Sequence, residues 1–365
     1  MKNIVIFGGA FDPIHNGHVN MAINASKALN AEVFFVPARV SVWKEGSGAS
    51  AKERIKMIEL AIKESGYSDV LHVSDIEANS KKEKNYSIDT VKFFKEKYPN
   101  DNLYFLLGTD HVNLFDKWKD AELMASLANI VYFSRPGYIN DQNMIEHYNM
   151  QEIVGELNDI SSTDIREMRS FEIADSVLYY ILDHKLYFAS KVRSYIGEKR
   201  YNHSASVAKL AYEIAKSNHI KDTKDYLIAG LIHDIGKEVE KDKQISMMKS
   251  LYPEFKDFPF VIYHQFIGEY LVKKDFGIEN QDILNAVKYH TTGRANMSTL
   301  EKCIYASDKI EPTRGFDSQD LINKMKVNID KGFIAVLTAN QEYFKVKKIP
   351  YDNSLTKECF DYYLK

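Results

Sequence analysis

Cysteine is scarce: two among 365 residues, Cys303 and Cys359, far apart and in no C-x-x-C pair. That excludes a disulfide scaffold and a thiolate zinc cage, and it fits a reducing, cytoplasmic setting. Long apolar runs are missing too. None approaches the roughly 18 residues needed to cross a bilayer, so no membrane association is expected. Met1, Lys2 and Asn3 lead straight into a strand-like run without the pattern of a secretory signal. Nor is there an excess of one charge: 48 Lys+Arg against 51 Asp+Glu leave −3. A nucleic-acid binder is expected to be strongly basic, so nucleic acid is not an expected partner. Phosphate-bearing small molecules stay open, because one local pocket of donors suffices for them. A hydrophobic share of 45% excludes a disordered chain, and the length suggests two domains.

The first half alternates strand-like and helix-like segments. Residues 3–7 form a short apolar run that ends at Gly8-Gly9, as a buried parallel strand does. Residues 32–37, 70–73, 103–107 and 130–133 repeat the strand signal, and helical spacing appears over 18–29 and 53–63, with helical stretches between the later strands. Alternation of this kind predicts an α/β doubly wound parallel sheet, Rossmann-like, with ligands at the carboxyl ends of the strands. From about residue 190 the strand runs stop. Segments 203–218, 225–233, 260–276, 281–289 and 300–310 read as helices, so the second half is expected to be all-α. The expected domains are 1–188 and 189–365, and the stretch 46–50 reads as a loop inside the first.

The first strand empties into Gly8-Gly9-Ala10-Phe11-Asp12-Pro13-Ile14-His15-Asn16-Gly17-His18. Glycines at a strand end let backbone approach a ligand closely, and the free N–H groups of the helix that follows favour phosphate. His15 and His18 are placed to hydrogen-bond a polyphosphate; taken singly, they read equally as caps of the helix start. The combined string Gly-Gly-x-Phe-Asp-Pro-x-His-x-Gly-His resembles the first signature of the nucleotidyltransferase superfamily that transfers an adenylyl group from ATP. Ile160-Ser161-Ser162-Thr163-Asp164-Ile165-Arg166 resembles its second signature. The resemblance implies that Gly8, Gly9, Phe11, Asp12, Ser161, Ser162 and Thr163 bind the nucleotide.

Within that superfamily the chain resembles the bacterial nicotinate-nucleotide adenylyltransferases over about residues 1–188. The motif 86–90 around Tyr86 and Thr90, the triplet Gly108-Thr109-Asp110, Trp118 and Arg135 match that family's acceptor site. The resemblance implies that backbone near Thr109 receives a pyridine carboxylate and that Trp118 stacks on the ring; by itself Trp118 reads as a packing residue. Where the family has Pro-His-Lys, this chain has Val42-Trp43-Lys44, which keeps the lysine and leaves the role of Trp43 open. The implied chemistry is in-line attack of nicotinate mononucleotide on ATP with Mg²⁺. His15 and His18 would contact the phosphates, and Lys44 and Arg166 the leaving pyrophosphate.

The helical half holds His203, His233-Asp234, His264, His290 and Asp308. An ionised Asp234 at the end of an apolar helix needs a partner, and a metal ion supplies one. His203, His233, Asp234 and Asp308 offer four ligands to a first metal. His264 and His290 would serve a second, with Asp234 able to bridge. Such a sulfur-free set suits hydrolytic Fe, Mn, Zn, Co or Mg, and a dinuclear site of Fe, Mn or similar is expected. His147, His184 and His219 read as structural. The pattern resembles the HD-domain phosphohydrolases. In finer detail, residues 191–365 resemble the bacterial symmetrical dinucleoside tetraphosphate hydrolases; that family usually reads Ala-Asp-x-Ile-Glu-Pro-x-Arg, so Ser307 is a small departure beside Asp308. The resemblance implies cleavage of diadenosine tetraphosphate into two ADP, with Lys237, Arg294 and Arg314 as polyphosphate contacts.

The expected whole is a fused bifunctional enzyme. Other acceptors (nicotinamide mononucleotide, phosphopantetheine), another nucleotide for the helical half, or a silent nucleotide sensor there remain open, as does a homo-oligomer.

Overall fold

The computed structural model describes residues 1–39, 48–80, 85–134, 139–155, 160–351 and 353–365, and not the side chain of Thr109. Lys44, Trp43 and Arg135 thus lie outside the described residues. The chain divides into two compact units, Met1–Phe188 and Ala189–Lys365.

The first unit is built on six strands: β1 (Asn3–Gly9), β2 (Ala31–Pro37), β3 (Leu71–Val73), β4 (Asn102–Leu107), β5 (Asn129–Tyr132) and β6 (Gln151–Glu152). Their order is β3-β2-β1-β4-β5-β6, with every neighbouring pair parallel. The chain winds outward from β1 to β3, then returns to lay β4 on the other side of β1. A crevice therefore opens at the carboxyl ends of β1 and β4, where doubly wound sheets bind ligands. Ile4, Val5 and Ile6 are all buried, which is why β1 reads as an unbroken apolar run. Strand β6 was not anticipated: its two residues are exposed and carry no apolar signal.

The helix Asn16–Leu29 follows β1 and ends on Asn30 in the left-handed region. The helix Ala51–Ser65 opens with a capping box, Ser50 Oγ accepting from the Glu53 N–H and the Ser50 N–H donating to Glu53 Oε2. Its far end holds the helix Asp175–His184, whose first N–H groups, at Asp175 and Ser176, each donate to the Glu64 carboxylate at 2.8 Å. A carboxylate there satisfies orphan donors and the positive end of the dipole together.

The second unit has no strand among the described residues. The helix Thr223–Ile232 is its centre, with Leu227, Ala229, Leu231 and Ile232 fully buried. Around it stand Glu198–Ser217, Tyr263–Phe276, Gln281–Tyr289 and Thr299–Ile310. Segment 260–276, expected as one helix, is a 3₁₀ turn (Phe260–Ile262) followed by Tyr263–Phe276. The helices Lys241–Leu251, Gln319–Val327, Ile329–Lys347 and Ser354–Tyr363 had not been anticipated. Among the described residues no helix is long and apolar enough to cross a membrane.

Candidate active sites

The crevice of the first unit is a cavity of about 200 Å³ lined by Gly8, Gly9, Phe11, His15 and His18 from the β1 side and by Gly108 and Asp110 after β4. It joins residues expected at the nucleotide with residues expected at the acceptor. Met21 and His111 line it as well, and nothing in the sequence had singled them out. His15 stands at the N-cap of the helix Asn16–Leu29, and its backbone N–H meets His18 Nδ1 at 3.4 Å. The two imidazole centroids lie 3.7 Å apart with the ring planes tilted by 30°, and Phe11 meets His18 edge-on at 5.0 Å. Gly9 has a steric reason: a Cβ there would stand 2.9 Å from the Phe11 ring.

The second signature packs onto the first. Ser161 caps the short helix Ser162–Arg166. Ser162 donates its hydroxyl to the Pro13 carbonyl at 2.9 Å, and Arg166 donates to the Asp12 carbonyl at 2.6 Å and to Thr163 Oγ1 at 2.8 Å. These bonds use two of the five guanidinium N–H groups. The Asp12 carboxylate accepts from the Ala49 N–H at 3.0 Å and the Tyr187 hydroxyl at 2.6 Å. Arg54, buried to 1% exposure, reaches four loop carbonyls, those of Ala10, Ala38, Arg39 and Ala49. A guanidinium in that position clamps the loops that carry Gly9 to Asp12, a role no local pattern around Arg54 announces.

Other expected acceptor residues have contacts of their own. Thr90 is buried and donates its hydroxyl to Glu77 at 2.5 Å. Tyr86 caps the helix Ser87–Lys97 with Lys119 above its ring. Trp118 is half-buried among Phe105, Phe115 and His111.

In the second unit, five helices deliver the six metal-type residues to one place. His203 comes from Glu198–Ser217, His233 and Asp234 follow Thr223–Ile232, His264 comes from Tyr263–Phe276, His290 ends Gln281–Tyr289, and Asp308 comes from Thr299–Ile310. Asp308 Oδ1 lies 3.0 Å from His203 Nε2 and 3.6 Å from His233 Nε2. Asp234 Oδ1 lies 3.3 Å from His264 Nε2 and 3.5 Å from His290 Nε2. Two overlapping triads could hold an ion, His203–His233–Asp308 and His233–Asp234–His290, with His233 common to both.

The rings are aimed by their other nitrogens. His233, His264 and His290 each present Nδ1 to the carbonyl three residues earlier, on Gly230, Val261 and Val287, at 2.7, 2.9 and 2.7 Å. His203 presents Nδ1 to Glu311 at 2.9 Å. With Nδ1 so engaged, the Nε2 atoms face the cluster, the placement from which an imidazole binds a metal once Nε2 carries no proton. The fit is sharpest at His233. It is fully buried, and its Nε2 has no hydrogen-bond partner among the described residues. An unpaired nitrogen in that setting costs free energy unless something ligates it. Burial alone would raise Asp234 and Asp308, yet His233 and the other imidazoles around Asp234, and Lys309 and His203 beside Asp308, hold both well below the usual carboxylate range.

Around the cluster, Arg200 pairs with Asp234 at 2.7 Å, Lys309 with Asp308 at 3.1 Å and the His290 carbonyl at 2.8 Å, and Arg314 with Asp308. Lys237 lies 3.2 Å from His264. Arg294 is not brought to the cluster by its contacts: its guanidinium forks onto buried Glu301 at 2.7 and 2.8 Å. Gly236 follows from the packing, since a Cβ there would stand 2.4 Å from the His264 carbonyl.

Residues 6–168 match the cytidylyltransferase-like family and residues 200–313 the HD domain. Over 358 residues the chain is 32% identical to a protein of Mycoplasma genitalium described as a probable nicotinate-nucleotide adenylyltransferase/Ap4A hydrolase, covering 94% of this chain and 99% of that one. A protein of Mycoplasma pneumoniae with the same description is 31% identical over 316 residues, covering 85% and 89%. The crystal structure of a predicted HD superfamily hydrolase involved in NAD metabolism from Clostridium acetobutylicum shares 32% identity, 50% of this chain and 95% of that one, with a TM-score of 0.43. Relatedness along nearly the whole of both chains, with a cytidylyltransferase-like domain ahead of an HD domain, means that the chain belongs to the family of fused nicotinate-nucleotide adenylyltransferase/Ap4A hydrolases.

Proposed function

We propose that the first unit transfers the adenylyl group of ATP to nicotinate mononucleotide, and that the second cleaves diadenosine tetraphosphate symmetrically into two ADP. The observation that carries the reading is convergence: in each unit, residues scattered along the sequence line one small polar site of matching chemistry.

In the first reaction a phosphate oxygen of the mononucleotide attacks the α-phosphorus of ATP. The bond from that phosphorus to the oxygen bridging toward the β-phosphate breaks, and pyrophosphate leaves with Mg²⁺. His15 and His18 offer ring N–H groups to phosphate oxygens whose charge grows as the reaction proceeds. Arg166, fixed on Asp12 and Thr163, keeps further N–H groups for an anion, and Lys44 is assigned to the leaving group. Gly8 and Gly9 admit the nucleotide against bare backbone. On the acceptor side, the loop from Gly108 to Asp110 and the ring of Trp118 receive the nicotinate end, with Tyr86, Thr90 and Arg135 in support.

In the second unit His203, His233, Asp234, His264, His290 and Asp308 would hold a pair of divalent ions, Fe, Mn or similar, that supply charge neutralisation and activate water. Asp234 and Asp308 stay ionised, and Glu311 fixes the ring of His203. Lys237, Lys309 and Arg314 offer N–H donors to a bound polyphosphate. Cleavage breaks the central phosphorus–oxygen–phosphorus bridge, water supplying the new oxygen and the proton passing to solvent.

Pyrophosphate release from ATP, compared across acceptors, tests the first reaction. Nicotinate mononucleotide is expected to be the best acceptor. Preference for nicotinamide mononucleotide or phosphopantetheine would overturn that assignment.

A further inference from the structure

A cavity of about 590 Å³ in the second unit lies beside the His/Asp cluster, within the range typical of small-molecule sites. Lys309 and Arg314 line it, and both are bonded to Asp308, so part of its wall stands one side chain away from the cluster. The rest is of another character. Phe316 and Tyr343 line it while 52% and 53% exposed, and Leu321 adds aliphatic surface. Large exposed aromatics around a concavity mark a binding surface rather than core. Asn340 also lines it, its amide N–H held by the hydroxyl of buried Tyr305 at 2.8 Å, which fixes the plane of its carbonyl.

An aromatic and aliphatic chamber, one oriented amide and two cations at the side facing a metal-type cluster match the parts of a nucleoside phosphate in sequence: ring, ring edge, phosphate. We propose that this cavity is a nucleoside subsite, taking one purine nucleoside of a dinucleoside polyphosphate. The base packs on Phe316 and Tyr343, Asn340 meets its edge, and Lys309 and Arg314 meet the phosphate nearest the ribose. The inference rests on reading the second unit as a polyphosphate hydrolase. It adds that the substrate is gripped by a base as well as by phosphates, so nucleoside-free polyphosphates are poor substrates. Ring stacking tolerates any base, so discrimination among bases is expected to be modest.

The test uses the full chain loaded with Mn²⁺ and the photoreactive probe 8-azidoadenosine 5′-diphosphate. Labelling is expected within residues 314–343 and is suppressed by excess ADP. In parallel, the Phe316→Ala/Tyr343→Ala variant, checked for an unchanged melting transition, is expected to raise KM for diadenosine tetraphosphate roughly ten- to a hundredfold with kcat largely kept, the scale of base stacking. Label elsewhere in the second unit, or an unchanged KM, overturns the subsite. Absence of cleavage by the wild-type chain with label still in this cavity supports the subsite and overturns the hydrolase reading instead.

Discussion

At His233 the backbone decides what the ring can do. Its Nδ1 is taken by the Gly230 carbonyl, so Nε2 is left bare in a fully buried position shared by both possible ion triads. His233→Ala is therefore expected to strip the bound metal, read by elemental analysis of the purified chain; full retention of metal would contradict the assignment. Glu311 acts one step further out. Burial works to raise its carboxyl, but hydrogen bonds from His203, Ser206 and Thr313 hold it down to about 2, so it stays ionised and keeps the His203 ring turned toward Asp308. Glu311→Gln is expected to weaken metal affinity by about 10–100-fold, the usual effect of losing an orienting partner, measured by competition with a metal indicator. An unchanged affinity would make Glu311 a bystander. The ligand set itself was legible in the sequence, because His-Asp at the end of an apolar helix is conspicuous. Glu311 was not: nothing near it says that its partner lies on a helix more than a hundred residues earlier. Arg294 shows the opposite, an expected phosphate contact whose fork is closed on buried Glu301.

At the scale of elements, the parallel sheet was readable because strands buried on both faces must be apolar throughout, as Ile4 to Ile6 are. The exposed two-residue β6 lacks such a constraint, and the late helices carry no motif that marks them. The residue that assembles the crevice carries no local signal, since Arg54 sits in an ordinary amphipathic helix. Replacing it removes donors from four carbonyls and leaves them to be satisfied some other way. Arg54→Ala is expected to cost about 2–4 kcal/mol in denaturant unfolding, and Arg54→Lys to recover little, because an ammonium lacks the planar fork. Recovery by lysine would point to charge alone. Glu77, at the start of the segment leading to Thr90, carries a pH signature. Burial raises its carboxyl above the ordinary glutamate range, against the lowering bond from Thr90. The folded state thus holds that proton more tightly than the unfolded chain, and this group's contribution turns unfavourable as pH rises past the unfolded value. The stability gained by Glu77→Gln should be greater at pH 7 than at pH 4. Equal gains at the two would contradict the burial account.

The molecule as a whole carries two candidate centres of distinct chemistry in one chain, a glycine-rich loop with paired imidazoles and a His/Asp cluster that could hold a metal. A metal that binds only the folded second unit stabilises it, so adding Mn²⁺ to the metal-free chain should raise the melting transition of that unit, and His233→Ala should remove the increase. Kinship with a fused relative along 94% of the chain makes the pairing of domains a property of the family. The central property of the helical half is its substrate. Product analysis of the purified full chain with diadenosine tetraphosphate, with and without chelator, addresses it directly. The account predicts ADP as the sole nucleotide product and its disappearance when the metal is removed. AMP together with ATP, or ADP formation indifferent to chelator, would contradict it.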